Sequence, residues 1–164
     1  MTIKDSLVKS LKDGHGLFVR SVSDFPEDKL TFQSFPEENH AMWTAGHMAT
    51  TYAWWSSFVT KDLTPPPQSF TAVFNNKMKP VADRSAYPAM NEVMAELDKQ
   101  YQIFITAVEA IPESDYFSAP LVDSGGFLKT KLDVLTGQIH HVGWHTGQVS
   151  SIRRALKMPS LYGM

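Results

Sequence analysis

The 164-residue chain predicts an all-α fold, a four-helix bundle. Three observations carry that expectation: apolar residues recur at steps of three and four in four separate segments, no segment alternates as a strand would, and one short and two longer connections join the four. With no internal repeat, low-complexity tract or dividing linker, residues 1–164 read as a single domain.

In the first segment Ile3, Leu7, Leu11, Phe18 and Val22 recur at spacings of four or seven, which predicts an amphipathic helix over residues 3–23, weakened in its middle by Gly14 and Gly16. The second helix is expected from Asn39, read as its N-cap, to Thr60, with Trp43, His47, Thr51, Trp54 and Phe58 on one stripe and Pro65-Pro66-Pro67 ending it. A long crossover follows, in which Phe70, Val73 and Phe74 predict one or two helical turns capping the bundle. The third helix follows from Met90, Val93, Met94, Leu97, Tyr101 and Phe104, with Pro88 in its first turn and Ile111-Pro112 closing it. Asp123-Ser124-Gly125-Gly126 reads as a turn. The fourth helix is expected to start at Thr130, where Thr130 and Asp133 form a capping box, and to run to about Lys157.

The chain has no cysteine, which excludes disulfide scaffolds, thiolate-held zinc or iron–sulfur sites and a protein thiol nucleophile. It has six histidines, so any transition-metal site must use imidazole and carboxylate. A formal net charge of −2 offers no broad basic field, which argues against a nucleic-acid partner and against anionic lipid. The N-terminal residues carry charge too early for a signal peptide, so a cytoplasmic location is expected. Residues 39–60 contain no Asp, Glu, Lys or Arg, yet His40, Gly46 and His47 would be costly in lipid; a helix buried in a soluble bundle explains the same composition without a membrane.

An α-helix turns roughly 100° per residue, so His141 and His145 lie about 40° apart and can share a ligand. Val134, Gln138, His141, His145, Gln148 and Ile152 fall in one stripe, apolar at its ends and polar at its centre, as expected of a site sunk into a bundle. His140 points elsewhere. An arbitrary pair of this kind is more often two histidines satisfied by backbone or hydroxyl partners. His47, in the middle of the uncharged helix, changes that: three histidines at core depth on two inward faces are better explained by one shared partner.

His141-Val142-Gly143-Trp144-His145-Thr146-Gly147-Gln148 resembles the H-x-x-x-H-x-G-Q signature on the last helix of the DinB-like (DinB/YfiT-like) metalloenzyme superfamily. Trp43-Thr44-Ala45-Gly46-His47 resembles the W-x-x-G-H segment of its second helix, and the likeness extends over essentially the whole chain. The resemblance implies an up-down four-helix bundle holding one divalent metal, zinc or nickel, through His47, His141 and His145. By their own chemistry three neutral imidazoles suit Zn²⁺, Ni²⁺ or Cu²⁺ and leave a coordination position open.

Gln148, one turn beyond His145, reads either as an orienting group beside the site or as a helix-packing residue. Gly143 and Gly147 lie on the opposite side and read as a helix-packing or homodimer contact; His15 reads as an ordinary hydrogen-bonded histidine, and Tyr52 as core. Three functions follow. The resemblance implies a metal-dependent S-transferase using a low-molecular-weight thiol on a small-molecule substrate, and the absence of cysteine fits a donated thiol. A metal-dependent hydrolase is the second, lowered by the lack of an acidic residue on the His141/His145 stripe. A non-catalytic metal-binding stress-response protein is the third.

Overall fold

The computed structural model describes residues 2–161. Among these there are five α-helices, α1 (Ile3–Ser23), α2 (Ala41–Ser57), α3 (Gln68–Phe74), α4 (Met90–Ala110) and α5 (Lys131–Ala155), and no strand. The all-helical expectation holds. The principal helix contacts are α2 on α4 and α1 on α5, with α2 also touching α3 and α5.

Helix α1 begins where expected: the Thr2 hydroxyl accepts from the Asp5 N–H, and the Asp5 carboxylate accepts from the Thr2 N–H. Its glycines do not break it. A Cβ on Gly14 would sit 3.4 Å from Val142 Cγ1, so this glycine lies where α1 approaches α5. Leu11, Phe18 and Val22 bury the inward face.

Helix α2 departs from expectation at both ends. His40, not Asn39, is the N-cap: its Nδ1 accepts from the Trp43 N–H at 3.1 Å while Nε2 donates to the Val81 carbonyl at 3.0 Å. The imidazole supplies the acceptor that an Asn oxygen would have supplied, and its ring is buried edge-on to Tyr87. The helix stops at Ser57 rather than Thr60, and the Phe58 carbonyl accepts instead from the Leu121 N–H at 2.9 Å. Residues 41–49 are all buried, which accounts for the uncharged composition. No described helix is long and apolar enough to cross a membrane.

The crossover cluster forms α3, whose Phe70 and Phe74 are buried. Helix α4 starts at Met90 with Ala89 as N-cap, so Pro88 precedes the cap instead of occupying the first turn. Thr130 and Asp133 form the expected capping box of α5. That helix ends at Ala155, two residues before Lys157, because Lys157 turns left-handed (φ 57°) and its N–H bonds the Arg154 carbonyl while the Met158 N–H bonds that of Arg153. Arg153 is buried and fastens this end to α1, donating to both Asp24 carboxylate oxygens and to the Ser21 carbonyl.

Candidate metal centre

Helices α2 and α5 bring His47, His141 and His145 together, with one ligand atom from each within 4.8 Å of the others. The two on α5 are closest: His141 Nε2 and His145 Nε2 are 3.1 Å apart. Two nitrogens on a tetrahedral zinc lie about 3.3 Å apart, so this pair already has the spacing that a shared ion requires. His47 faces them across the helix contact, its ring centroid 5.6 Å from His141 and 5.0 Å from His145.

The outer nitrogens decide which atom each ring offers. His47 Nδ1 donates to the Phe74 carbonyl at 3.3 Å, and His145 Nδ1 donates to Gln148 Oε1 at 2.8 Å. Asn39 Nδ2 points to the same glutamine oxygen at 3.5 Å, which agrees with its being the acceptor. Both rings therefore turn an Nε2 lone pair inward. His141 differs: its Nδ1 is buried without a partner, as are both amide atoms of Gln138 one turn earlier by hydrogen-bond geometry, and burial pushes the Tyr52 hydroxyl well up against the opposing effect of that nearby amide.

Electrostatics keep all three rings neutral. Burial, then the neighbouring His145 and His47, pushes His141 down to about 3. Burial and His47 push His145 down to about 4, against the Gln148 hydrogen bond, and burial lowers His47 against the Phe74 carbonyl. Neutral imidazole is the form that ligates. The donor set, its spacing and its protonation thus fit a divalent metal ion.

The group forms the floor of a cavity of about 750 Å³. Trp43 stacks on His47 (4.7 Å between centroids, 9° between planes) and Trp144 lies nearly parallel to His145 (6.0 Å, 11°). Two glycines make room for the aromatic frame. A Cβ on Gly46 would lie 2.4 Å from the Phe74 ring, and one on Gly137 would lie 2.8 Å from Trp55.

The other histidines are accounted for. His15 is buried, with Nδ1 3.2 Å from the Tyr52 hydroxyl and its ring stacked on Tyr101 at 3.5 Å; His40 caps α2; His140 is exposed. Tyr52 is buried core and does not line the cavity. Gln148 is bonded to His145 and lines the cavity. The helix-packing reading of Gly143 and Gly147 does not hold within the chain, since a Cβ on either would meet open space. The predicted stripe of α2 proves to be largely cavity wall: Trp43, His47, Thr51 and Trp54 line it, Trp43 while also buried in the core, and Phe58 belongs to the core without lining the cavity. Sequence reasoning missed the Phe74 carbonyl, Trp144 and Phe127 as parts of the site. Trp144, adjacent to His145, carried a usable signal, whereas a backbone carbonyl carries none.

Six solved chains match the fold. One, described as the conserved protein of a locus from Enterococcus faecalis, has 14% identity and a TM-score of 0.67, covering 94% of this chain and 96% of that one, a likeness of fold. No curated protein sequence matches. The profile of the DinB superfamily matches residues 11–149, a span that contains all three clustered histidines and Gln148. The chain belongs to the DinB superfamily.

Proposed function

We propose that this protein is a metal-dependent enzyme of the S-transferase type, in which His47, His141 and His145 hold one divalent ion, zinc or nickel, and a low-molecular-weight thiol enters the position they leave open. The observation that carries this reading is the convergence of three neutral imidazoles, with no carboxylate in the group, on the floor of an open cavity. A bound divalent ion supplies Lewis acidity and lowers the pKa of a thiol or water that it binds. The protein's own residues set the geometry. The Phe74 carbonyl and Gln148 fix two of the rings by their outer nitrogens, and Trp43 and Trp144 screen the site on two sides. The chain has no cysteine, so the thiol comes from a small molecule.

A hydrolase needs a general base beside the water, and among the described residues no Asp or Glu lines the cavity, which favours the thiol reading over it. The test is metal analysis of protein purified without a histidine tag, followed by a screen of thiol plus electrophile against ester, amide and phosphate substrates. Near-stoichiometric metal and thiol-dependent turnover, both lost in His145→Ala, are expected. Turnover of esters or phosphates without thiol would replace this reading with the hydrolase, and bound metal with no turnover would leave a non-catalytic metal protein.

The same reading includes an up-down four-helix bundle of α1, α2, α4 and α5, with α3 in the long crossover between the second and third of them. It also includes a cytoplasmic setting and a homodimer contact through the open Gly143 and Gly147 face, which sedimentation of a Gly143→Arg variant would test.

A further inference from the structure

All four tryptophans of the chain line the cavity above the histidines, although they come from two different helices. Trp43 and Trp55 are buried walls, whereas Trp54 is 45% and Trp144 68% exposed at the opening, where Phe127 is 71% exposed. Three large aromatic faces thus stand in water around one mouth, an arrangement that a planar apolar ligand would cover. The polar part of the lining is neutral, made of Asn, Thr and Gln side chains. Among the described residues, no Asp, Glu, Lys or Arg lines the cavity.

We propose that this cavity selects a ligand with a single anionic group, the one directed at the metal, joined to an uncharged planar or apolar body that lies among Trp54, Trp144 and Phe127. The inference deepens the metal-dependent reading and rests on it for the anionic group alone. A second carboxylate held inside would lose its hydration and meet no Lys or Arg in exchange. An ammonium group would find aromatic faces but, like the carboxylate, would lose its hydration and meet no Asp or Glu in exchange. Specificity therefore arises by exclusion: charged bodies are left without partners, and neutral ones are not penalised. Thiols carrying several carboxylates are poor donors for this site, and uncharged aryl thiols or thiols on neutral polar bodies are good ones.

The experiment titrates Co²⁺-loaded protein with three benzenethiols carrying a para-methyl, para-carboxylate or para-trimethylammonium group. Thiolate-to-cobalt absorption reports the head and tryptophan quenching reports the body. The methyl compound is expected to bind at least about tenfold more tightly than either charged one, which corresponds to one unpaired charge. Trp144→Ala and Trp54→Ala are each expected to weaken it by roughly fivefold, the scale of one aromatic contact, with metal content unchanged. Metal-free protein is titrated in parallel with para-cresol and para-hydroxybenzoate, read by quenching alone. A preference for cresol there supports the neutral body even if metal loading fails, which would sink only the metal reading. Carboxylate binding as tight as methyl in the loaded protein, or tryptophan variants that bind as well as the parent, would overturn the proposal.

Discussion

Gly46 precedes His47, and the same substitution there and elsewhere should have opposite signs. A Cβ on Gly46 would lie 2.4 Å from Cδ1 and Cε1 of Phe74 and 2.5 Å from its Cγ, about 1 Å inside normal contact for three ring atoms at once. Phe74 is fully buried and stacks on Tyr87, so its ring cannot swing into water without losing that burial. Alanine is intrinsically better than glycine in a helix by about 1 kcal/mol, while overpacking of this kind costs about 1–3 kcal/mol, or about 3–5 kcal/mol if the ring is expelled. Gly46→Ala is therefore expected to destabilise by up to about 2 kcal/mol net if the ring is only displaced and by roughly 2–4 kcal/mol if it is expelled, a fall in Tm of about 2–4 °C for each kcal/mol in a domain of this size. Gly16→Ala, where a Cβ meets nothing within 4 Å, should instead stabilise by about 0.5–1 kcal/mol. The damage should reach the site. Moving Phe74 by 1 Å breaks the 3.3 Å bond from His47 Nδ1 to its carbonyl, and loss of such an outer partner lowers metal affinity by about 10–100-fold. Urea melts and metal titrations of Gly46→Ala, Phe74→Leu and the double variant form a cycle in which the double variant recovers part of the loss. If Gly46→Ala melts and binds metal like the parent, the argument that this glycine seats α3 against His47 is wrong.

Two further outcomes follow from buried polar groups. His15 and His40 are pushed down to about 4 by burial, below the unfolded value of about 6.5, so the unfolded chain takes up protons that the folded protein refuses. Stability is full above about pH 6.5 and falls as pH drops toward 4, by about 3 kcal/mol for the two together at pH 5.5, with the three clustered histidines of metal-free protein adding in the same direction. His40→Asn keeps a capping acceptor and removes one titration, so its urea midpoint should fall less steeply between pH 7 and 5; parallel profiles would count against the assignment. Gln138 is fully buried with an amide that makes no well-formed hydrogen bond, so Gln138→Leu should leave metal-free stability unchanged or raise it by about 1 kcal/mol. A drop larger than that in a thermal melt would mean that the amide is satisfied after all.

What was legible in the sequence was what local chemistry decides. The capping boxes at Thr2 and Thr130 need only residues three apart, and the second of them is among the sequence expectations. The histidine triad was legible because an i, i+4 pair and a lone imidazole in an uncharged helix are both patterns along one chain. Helix ends were less so. The shift from Asn39 to His40 as cap depends on Val81 and Tyr87 receiving the imidazole, and the early stop of α2 depends on Leu121, which is 63 residues beyond Phe58. The walls of the cavity were least legible. Trp54 sits on the expected stripe, but a stripe of aromatics reads the same whether it faces a core or a cavity. Phe127 reaches the mouth from a loop, whose placement no periodicity encodes.

The three imidazoles are held by unequal means, and the difference locates where the site is sensitive. His145 is oriented by Gln148 three residues on in the same helix, and its Nε2 is already 3.1 Å from that of His141, so this pair is set once α5 has formed. His47 is oriented by the carbonyl of Phe74, and that contact exists only when α3 has docked on α2 through the gap at Gly46. Thr50 donates to the same carbonyl at 3.4 Å, which ties the connection to the helix at a second point. A ligand that needs all three nitrogens therefore binds the docked crossover and not the undocked one, and it stabilises that contact by mass action. Substitutions in α3 should thus affect the third nitrogen while leaving the α5 pair intact. The same short helix contributes Thr71 to the cavity lining, so the segment that completes the donor set also closes one side of the space in which a substrate would sit.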